Sequence, residues 1–408
     1  MAAVSLPILK NTQRYGIWFI GVSFVLFQFF LQLSSGVVVG AIMGEMQISA
    51  LEAGILSSSF YYVYTSMQIP VGMLFDRKST RLLLTINALL CSIGCLYFAQ
   101  SHNLVQLIIG RLIIGTGSAF AFVGLSHLLR QHFPLKHFGF LIGLSETLGF
   151  LATVFGIIAM GGLINQWGWR SFINSAAVLS LIISYFCWRH IPNFSPPSVT
   201  STKNSQQLLN ILKNSKTWIN GIFVGLSFTV ITVFGAMWAV PFIQVKLACS
   251  LKEASVIDAM IFLGAALSCP LFGKLACLLR RKPLMLSSCL STAFLFFLVL
   301  YLPTQSAILL ASLMFMIGLC CGAYMLAFSI ANELASSDSL STCTGFTNTL
   351  AMLSAPLIQP LIGYLLDLFS HSEGTPQLVD YQKALVIIPL CLLLATGLVF
   401  LLPEKNRH

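Results

Sequence analysis

The chain has 408 residues, of which 57% are hydrophobic and 8% charged, with a mean hydropathy of +0.88 and a net charge of +10. A soluble protein of this length needs far more polar surface than those residues supply, so soluble enzymes and soluble nucleic-acid-binding domains are excluded. What remains is a protein built to sit in a bilayer.

Apolar runs able to cross a hydrocarbon core of about 30 Å, roughly 20 residues at 1.5 Å each, recur along the whole length. Twelve helical spans are predicted. The first six are Tyr15 to Gly40, Ala50 to Leu74, Arg81 to Ala99, Val105 to Leu129, Phe138 to Leu163 and Trp169 to Trp188. The second six are Trp218 to Val245, Ala254 to Leu278, Pro283 to Leu302, Ala307 to Leu334, Cys343 to Leu366 and Lys383 to Leu402. Lys10 and Arg14 precede a first run that exceeds the about 7 to 15 residues of a signal-peptide core, so it is read as a retained helix. The segment "IPNFSPPSVTSTKNSQQLLNILKNSKT", Ile191 to Thr217, is polar and proline-rich, and Leu208, Leu209, Ile211 and Leu212 within it suit a short helix lying on the membrane. The expected organisation is therefore a terminus (1–14), a six-helix bundle (15–190), a linker (191–216), a second bundle (217–402) and a short tail (403–408).

Basic residues set the orientation. Seventeen of them, Lys10, Arg14, Arg77, Lys78, Arg81, Arg130, Lys136, Arg189, Lys203, Lys213, Lys216, Lys274, Arg280, Arg281, Lys282, Lys405 and Arg407, fall on the side of the termini. Only Arg111, Arg170, Lys246, Lys252 and Lys383 do not. The positive-inside rule then predicts an inner-membrane protein with both termini cytoplasmic, and the excess positive charge faces anionic lipid heads without any need for nucleic acid. The eleven cysteines are scattered through apolar segments without ligand spacing, which makes them small buried hydrophobes and implies no metal site.

The two halves echo each other. "GMLFDRKSTR" after the second span has a degraded counterpart in "GKLACLLRRK", Gly273 to Lys282, and "GTGS" at 115–118 a weaker one in "GLCC" at 318–321. An all-α membrane protein made of two pseudo-symmetric six-helix bundles is the expectation, with a site near the midplane.

Gly72, Leu74, Asp76, Arg77 and Arg81 resemble the loop signature of the major facilitator superfamily, G-x-L-x-D-R-x-G-R-R/K, at the place where that family carries it. "RLIIGTGSA", Arg111 to Ala119, is similar to a second signature; "GWRSF" (168–172) and "TGFTNTLAMLSAPLIQPLIGYLLD" (344–367) are similar to stretches common in bacterial members. Ser79 and Thr80 depart from the signature's Gly and Arg. The resemblance implies twelve spans, with the third, sixth, ninth and twelfth at the lipid rim. It further implies a gate in which Asp76 meets the start of the eleventh span in the outward-open state. A carboxylate at a helix start gains about 0.3 to 1 kcal/mol, or about 2 when partly buried. Arg77 and Arg81 would pair with it or with Glu333 and Asp338; the plainer reading is that these cations only obey the positive-inside rule.

Polar residues inside the spans mark a candidate pathway. Gln28, Gln32 and Ser35 share one face of the first span; Tyr61, Tyr64, Thr65 and Gln68 share one of the second; Asn348 and Gln359 share one of the eleventh. Trp238 and Tyr324 add amphipathic rings. Each residue alone is better explained by interhelical hydrogen bonding than by a substrate contact; the stripes carry the inference. Two charges stand deep in spans, Arg111 and Glu146, and a charge at a helix centre costs about 2.5 to 3.5 kcal/mol on insertion scales, so both need a cavity or a partner. Glu146 is the candidate for proton coupling, and Arg111 either attracts an anionic substrate group or holds Glu146 charged, although helix rise separates their depths by about 8 Å. A static pair fixing helix packing is the competing reading. Gly36, Gly40 and Gly44, and Gly318 with Gly322, suit close helix approach, and Pro241, Pro270 and Pro356 can bend their helices.

No phosphate loop, HExxH or nucleophile elbow is present, so neither ATP-driven pumping nor catalysis is indicated and no cofactor is expected. The reading is a monomeric secondary transporter of a small polar or anionic metabolite, with protons and lipids as its other partners. The alternatives are proton-driven efflux of hydrophobic compounds, against which stands the absence of proline from "GLSETLGFLATVFG" where related exporters carry a Gly-Pro signature, and a ligand sensor that moves nothing.

Overall fold

The computed structural model describes residues 11–33, 35–75, 78–193, 209, 211–335, 340–370 and 376–403, and every regular element among them is helical. Span 1 is two helices end to end, Asn11–Leu33 and Ser35–Met46. Spans 2, 3 and 4 are Ala50–Phe75, Thr80–Ala99 and Leu104–His132. Spans 5 and 6 are two helices that follow one another within Leu135–His190 and are separated by a kink at Gly168. Span 7 runs through Ser215–Ser227, a π-helical stretch Val230–Trp238, and Ala239–Leu247. Spans 8 and 9 are Leu251–Leu278 and Arg281–Tyr301. Span 10 is Ala307–Cys320 followed by Ala323–Leu334, span 11 is Leu340–Phe369, and span 12 is Leu378–Leu385 with Ile387–Val399.

Among the described residues, eleven helices are long and apolar enough to cross a membrane. Span 2, with 26 residues, has the length but carries Ser57, Ser58, Ser59, Tyr61, Tyr64, Thr65 and Gln68 among its buried residues. It is polar because it faces protein, not lipid. Exposed apolar side chains concentrate where the resemblance puts the rim: Ile86 and Ile93 in span 3, Val178 and Tyr185 in span 6, Leu290 and Phe294 in span 9, Leu390 and Leu394 in span 12. Span 7, by contrast, is buried almost throughout.

Local chemistry fixes the span ends. Asn103 accepts from the Gln106 amide, Ser306 from the Leu309 amide, and Ser250 with Glu253 closes a capping box. At the opposite kind of end, Lys246 donates to the carbonyls of Val299 (2.6 Å), Leu300 (3.3 Å) and Leu302 (3.0 Å), satisfying the last turn of span 9. Gly168 has φ +76°, a left-handed conformation that turns the chain between spans 5 and 6 in a single residue. Directly after it, Trp169 donates to Glu45 at 2.6 Å, and Arg170 forms an ion pair with the same carboxylate while reaching the Ser101 carbonyl at 3.2 Å. That brace ties span 1, span 6 and the turn before span 4 together beyond the apolar run. The Arg170 and Trp169 hydrogen bonds hold the Glu45 carboxyl below the usual carboxylate range.

Two sequence expectations change. Of the Gly36, Gly40 and Gly44 series only Gly36 is at a close approach; the other two face open space. The linker leucines do not share a membrane-facing surface with Ile211: Ile211 is buried against Ala331, Cys343 and Phe346, while Leu209 and Leu212 are exposed, and Leu208 lies outside the described residues. Span 10 and span 11 together offer a pocket that one β-branched side chain fills.

Candidate functional site

The end of the molecule that carries the segment between spans 6 and 7 is the linker end; the opposite one is the far end. Between the halves runs a seam formed mainly by spans 1, 2 and 5 against 7, 8 and 11. Most of the stripe residues lie along it. Gln28 and Gln32 are buried and bonded to each other, and Gln32 Nε2 reaches Met352 Sδ of the other half at 3.4 Å. Ser35 Oγ meets Ser57 Oγ at 2.9 Å and donates to the Ala236 carbonyl across the seam at 2.8 Å. Tyr61 is buried beside Gln32; Tyr64 stacks on Phe60; Gln68 accepts from Asn348 of the other half at 3.4 Å. Tyr62, outside the predicted set, donates to the Pro356 carbonyl at 2.9 Å.

Gln359 and Trp238 are instead tied within the second half. Gln359 Nε2 donates to the Thr232 carbonyl in the π-helical stretch at 2.7 Å, and Trp238 Nε1 donates to the Gln359 carbonyl at 3.3 Å. A π-turn frees or re-aims backbone groups, and here one of its carbonyls takes up a buried side chain. Tyr324 pairs with Cys269 at 3.2 Å and packs on Phe228 at 4.4 Å.

The two deep charges do not meet. Arg111 donates to the carbonyls of Leu31 (3.1 Å) and Ser57 (3.4 Å) and lies over the Phe60 ring, all within the first half. Around it stand Phe30, Ser35, Phe98 and Met160 among others, all of the first half. Glu146 sits nearer the linker end, within electrostatic reach of Tyr64 and of Cys269 and Tyr324 across the seam. Its Oε2 is buried without a hydrogen-bond partner among the described residues. The competing reading of a static Arg111–Glu146 pair is therefore not what the structure holds: the two charges occupy separate places at different depths.

Of the gate residues, Asp76 and Arg77 lie outside the described residues, as does Asp338. Gly72 is described and stands in open space. Arg81 does not reach Glu333: its guanidinium lies 4.1 Å from the Trp188 ring, and Glu333 is held by Arg281 through two hydrogen bonds of 2.9 and 2.6 Å. Both of these contacts stay inside one half.

Closure is at the far end. A Cβ added to Gly36 would lie 2.6 Å from the Met237 carbonyl oxygen, one on Gly54 2.7 Å from that of Gln359, and one on Gly363 2.4 Å from that of Ala50. These contacts all cross the seam. At the linker end Gly72, Gly143 and Gly345 have no described atom within 4 Å of such a Cβ. Two carboxylates that the sequence reading passed over also belong here: Asp367, which binds the start of span 2, and Asp258, fully buried in span 8 with Oδ1 unpartnered among the described residues.

Helical spans in two halves, meeting along a polar seam closed at one end, make the two-bundle architecture on which repeat-built membrane transporters are constructed. The chain belongs to the Major Facilitator Superfamily, whose sequence profile matches residues 18–359 and 222–408. It is 27% identical over 279 residues to the multidrug resistance protein MdtG of Escherichia coli, covering 65% of this chain and 66% of that one. The matches to the first curated relatives span 38 to 66% of their lengths. In fold it is similar to a bacterial homologue of the human lysosomal transporter Spinster in an inward-facing and unoccupied conformation (TM-score 0.78, 15% identity, 96% and 97% of the two chains). It is similar also to a D-xylose-proton symporter (TM-score 0.75, 16% identity, 96% and 98%).

Proposed function

We propose that this protein carries a small polar or anionic metabolite through the seam by alternating access, with Glu146 exchanging a proton in each cycle. The observation that carries the reading is a carboxyl oxygen buried between the two halves without a partner, on the side toward which the seam opens. An intramembrane acid that serves only packing would be expected to have its hydrogen bonds satisfied. The amides of Gln28, Gln32, Gln68 and Asn348 give the path its polar lining, and Arg111, with Nε unpartnered among the described residues, supplies the positive potential that favours an anionic group once the far end opens.

The distribution of basic residues supports placing the linker end and both termini in the cytoplasm, at the inner membrane. The state described then faces inward. The substrate leaves chemically as it arrived, so the protein is read as a transporter and not an enzyme, working as a monomer without a cofactor.

The test is uptake into proteoliposomes with and without an imposed proton gradient. Glu146→Gln is expected to lose accumulation while keeping exchange of substrate across the membrane; gradient-independent transport in both proteins would remove the coupling. Similarity to MdtG favours a second reading, proton-driven efflux of hydrophobic compounds. Dye extrusion by cells expressing the protein, absent with Glu146→Gln, would select it over metabolite uptake.

A further inference from the structure

Span 2 and span 11 run antiparallel across the seam, and the last turn of span 11 lies against the first turn of span 2. There Asp367 Oδ1 accepts from the Ala50 amide at 3.0 Å and Oδ2 from the Leu51 amide at 2.8 Å. The opening amides of a helix have no acceptor within it and carry its positive partial charge. A carboxylate that takes two of them makes a pair of charge-assisted hydrogen bonds.

Span 2 does not need this help to begin. Ser49 and Glu52 already form its own cap: the Ser49 amide donates to Glu52 Oε2 at 2.8 Å and the Glu52 amide to Ser49 Oγ at 3.2 Å. Asp367 takes the two amides which that cap leaves over, and it does so from the other half of the molecule. Two other far-end carboxylates behave differently. Glu253 accepts from the Ser250 amide at 3.0 Å and Asp380 from the Gln377 amide at 2.9 Å, each at the start of its own helix. The approach is enforced one turn earlier, where Gly363 lies so near the Ala50 carbonyl that no side chain fits.

We propose that Asp367 is a positioning residue for transport: a latch that holds the far end shut by joining span 11 to span 2, and that releases when the far end opens. The proposal rests on the alternating-access reading above. It also completes a symmetry. The family resemblance implies that Asp76, at the end of span 2, meets the start of span 11; Asp367, at the end of span 11, meets the start of span 2 at the other face. The same helix pair then carries one carboxylate per face, and rocking the halves engages one while parting the other.

The experiment reads opening directly. Ser57→Cys places a thiol at a buried position about two turns below the latch, and its reaction with a membrane-impermeant maleimide added from the far side is measured against the parent protein, whose native cysteines set the background. Adding Asp367→Ala is expected to raise the labelling rate about tenfold, as loss of two charge-assisted bonds from a two-state closure predicts, with Asp367→Asn between the two. Asp380→Asn, which removes a far-end charge engaged only within its own half, is expected to change nothing. An unchanged rate in Asp367→Ala of normal melting temperature overturns the proposal, and so does an equal rise in Asp380→Asn. If the alanine variant does not fold, the asparagine variant decides. Labelling requires no substrate, so a failure of the transport reading in flux assays is separate from a failure of the latch.

Discussion

The two ends of the seam are built from the same helices and yet differ in every contact. At the far end, backbone meets backbone through Gly36, Gly54 and Gly363, and Asp367 adds charge to the closure. Toward the linker end, Gly72, Gly143 and Gly345 have no described atom near them, and the polar contacts across the seam are long ones, Asn348 to Gln68 at 3.4 Å and Thr147 to the Ala266 carbonyl at 3.5 Å. Without a hydrophobic drive between helices in lipid, association depends on close packing and hydrogen bonds; the first end has both and the second has little of either. Small residues at the open end therefore make sense only for a second arrangement in which that end is the one that closes.

The largest test of this comparison is steric. Gly54→Val puts branched carbon where the Gln359 carbonyl lies at 2.7 Å; far-end closure should fail and transport should fall at least about tenfold, overpacking in a filled interface being worth about 1 to 3 kcal/mol. Gly345→Leu should leave the melting temperature of the present state near the parental value, yet stop transport by blocking closure at the other end. A parental flux in either variant breaks the comparison. Glu146→Gln comes next: accumulation driven by a proton gradient is expected to disappear while exchange persists within about a factor of three, since a neutral isostere keeps the shape of the site.

Smaller effects sharpen the contrast between seam and brace. The Glu45 carboxyl is held below its ordinary range by Arg170 and Trp169, so its contribution to stability is complete above about pH 4.5 and is lost as the pH falls through the lower, folded value. The melting-temperature gap between the wild type and Glu45→Gln should therefore be a few degrees at neutral pH and close as the pH falls through that lower, folded value, with salt reducing it throughout. Least of all, Arg281→Ala is expected to cost no more than about 1 kcal/mol, because its Glu333 partner is one third exposed. Transport rates should be unchanged in both.

The spans were legible in the sequence because bilayer thickness imposes a length that few soluble segments imitate, and the polar stripes were legible because helical geometry converts spacing into a face. What escaped reading was partnership across the seam. Asp258 falls inside the expected span Ala254 to Leu278 but only one turn from its start, where a carboxylate reads as interfacial; the Ser250–Glu253 box starts the helix at Leu251 and carries Asp258 two turns into the bundle. The motif was there to be read in "SLKE". Asp367 sits one residue past the expected end of span 11, where a carboxylate looks like ordinary interfacial polarity, and no spacing within one chain segment shows that another helix starts beside it. Arg111 and Glu146 were singled out correctly as buried or nearly so, but the idea that they pair had only depth to constrain it, and depth argued against it. The gate cations read as cross-half partners because charge alone has no address: Arg81 found an aromatic ring and Glu333 a nearer arginine.

Gly168 gives the first half a mechanical property of its own: spans 5 and 6 are joined through the kink at that single residue. Any tilt of span 5 at the seam must be transmitted as torque to span 6 at the rim, so the bilayer around that rim feels each stroke, and a stiffer or thicker lipid should slow the turnover of a protein whose own joints are unchanged.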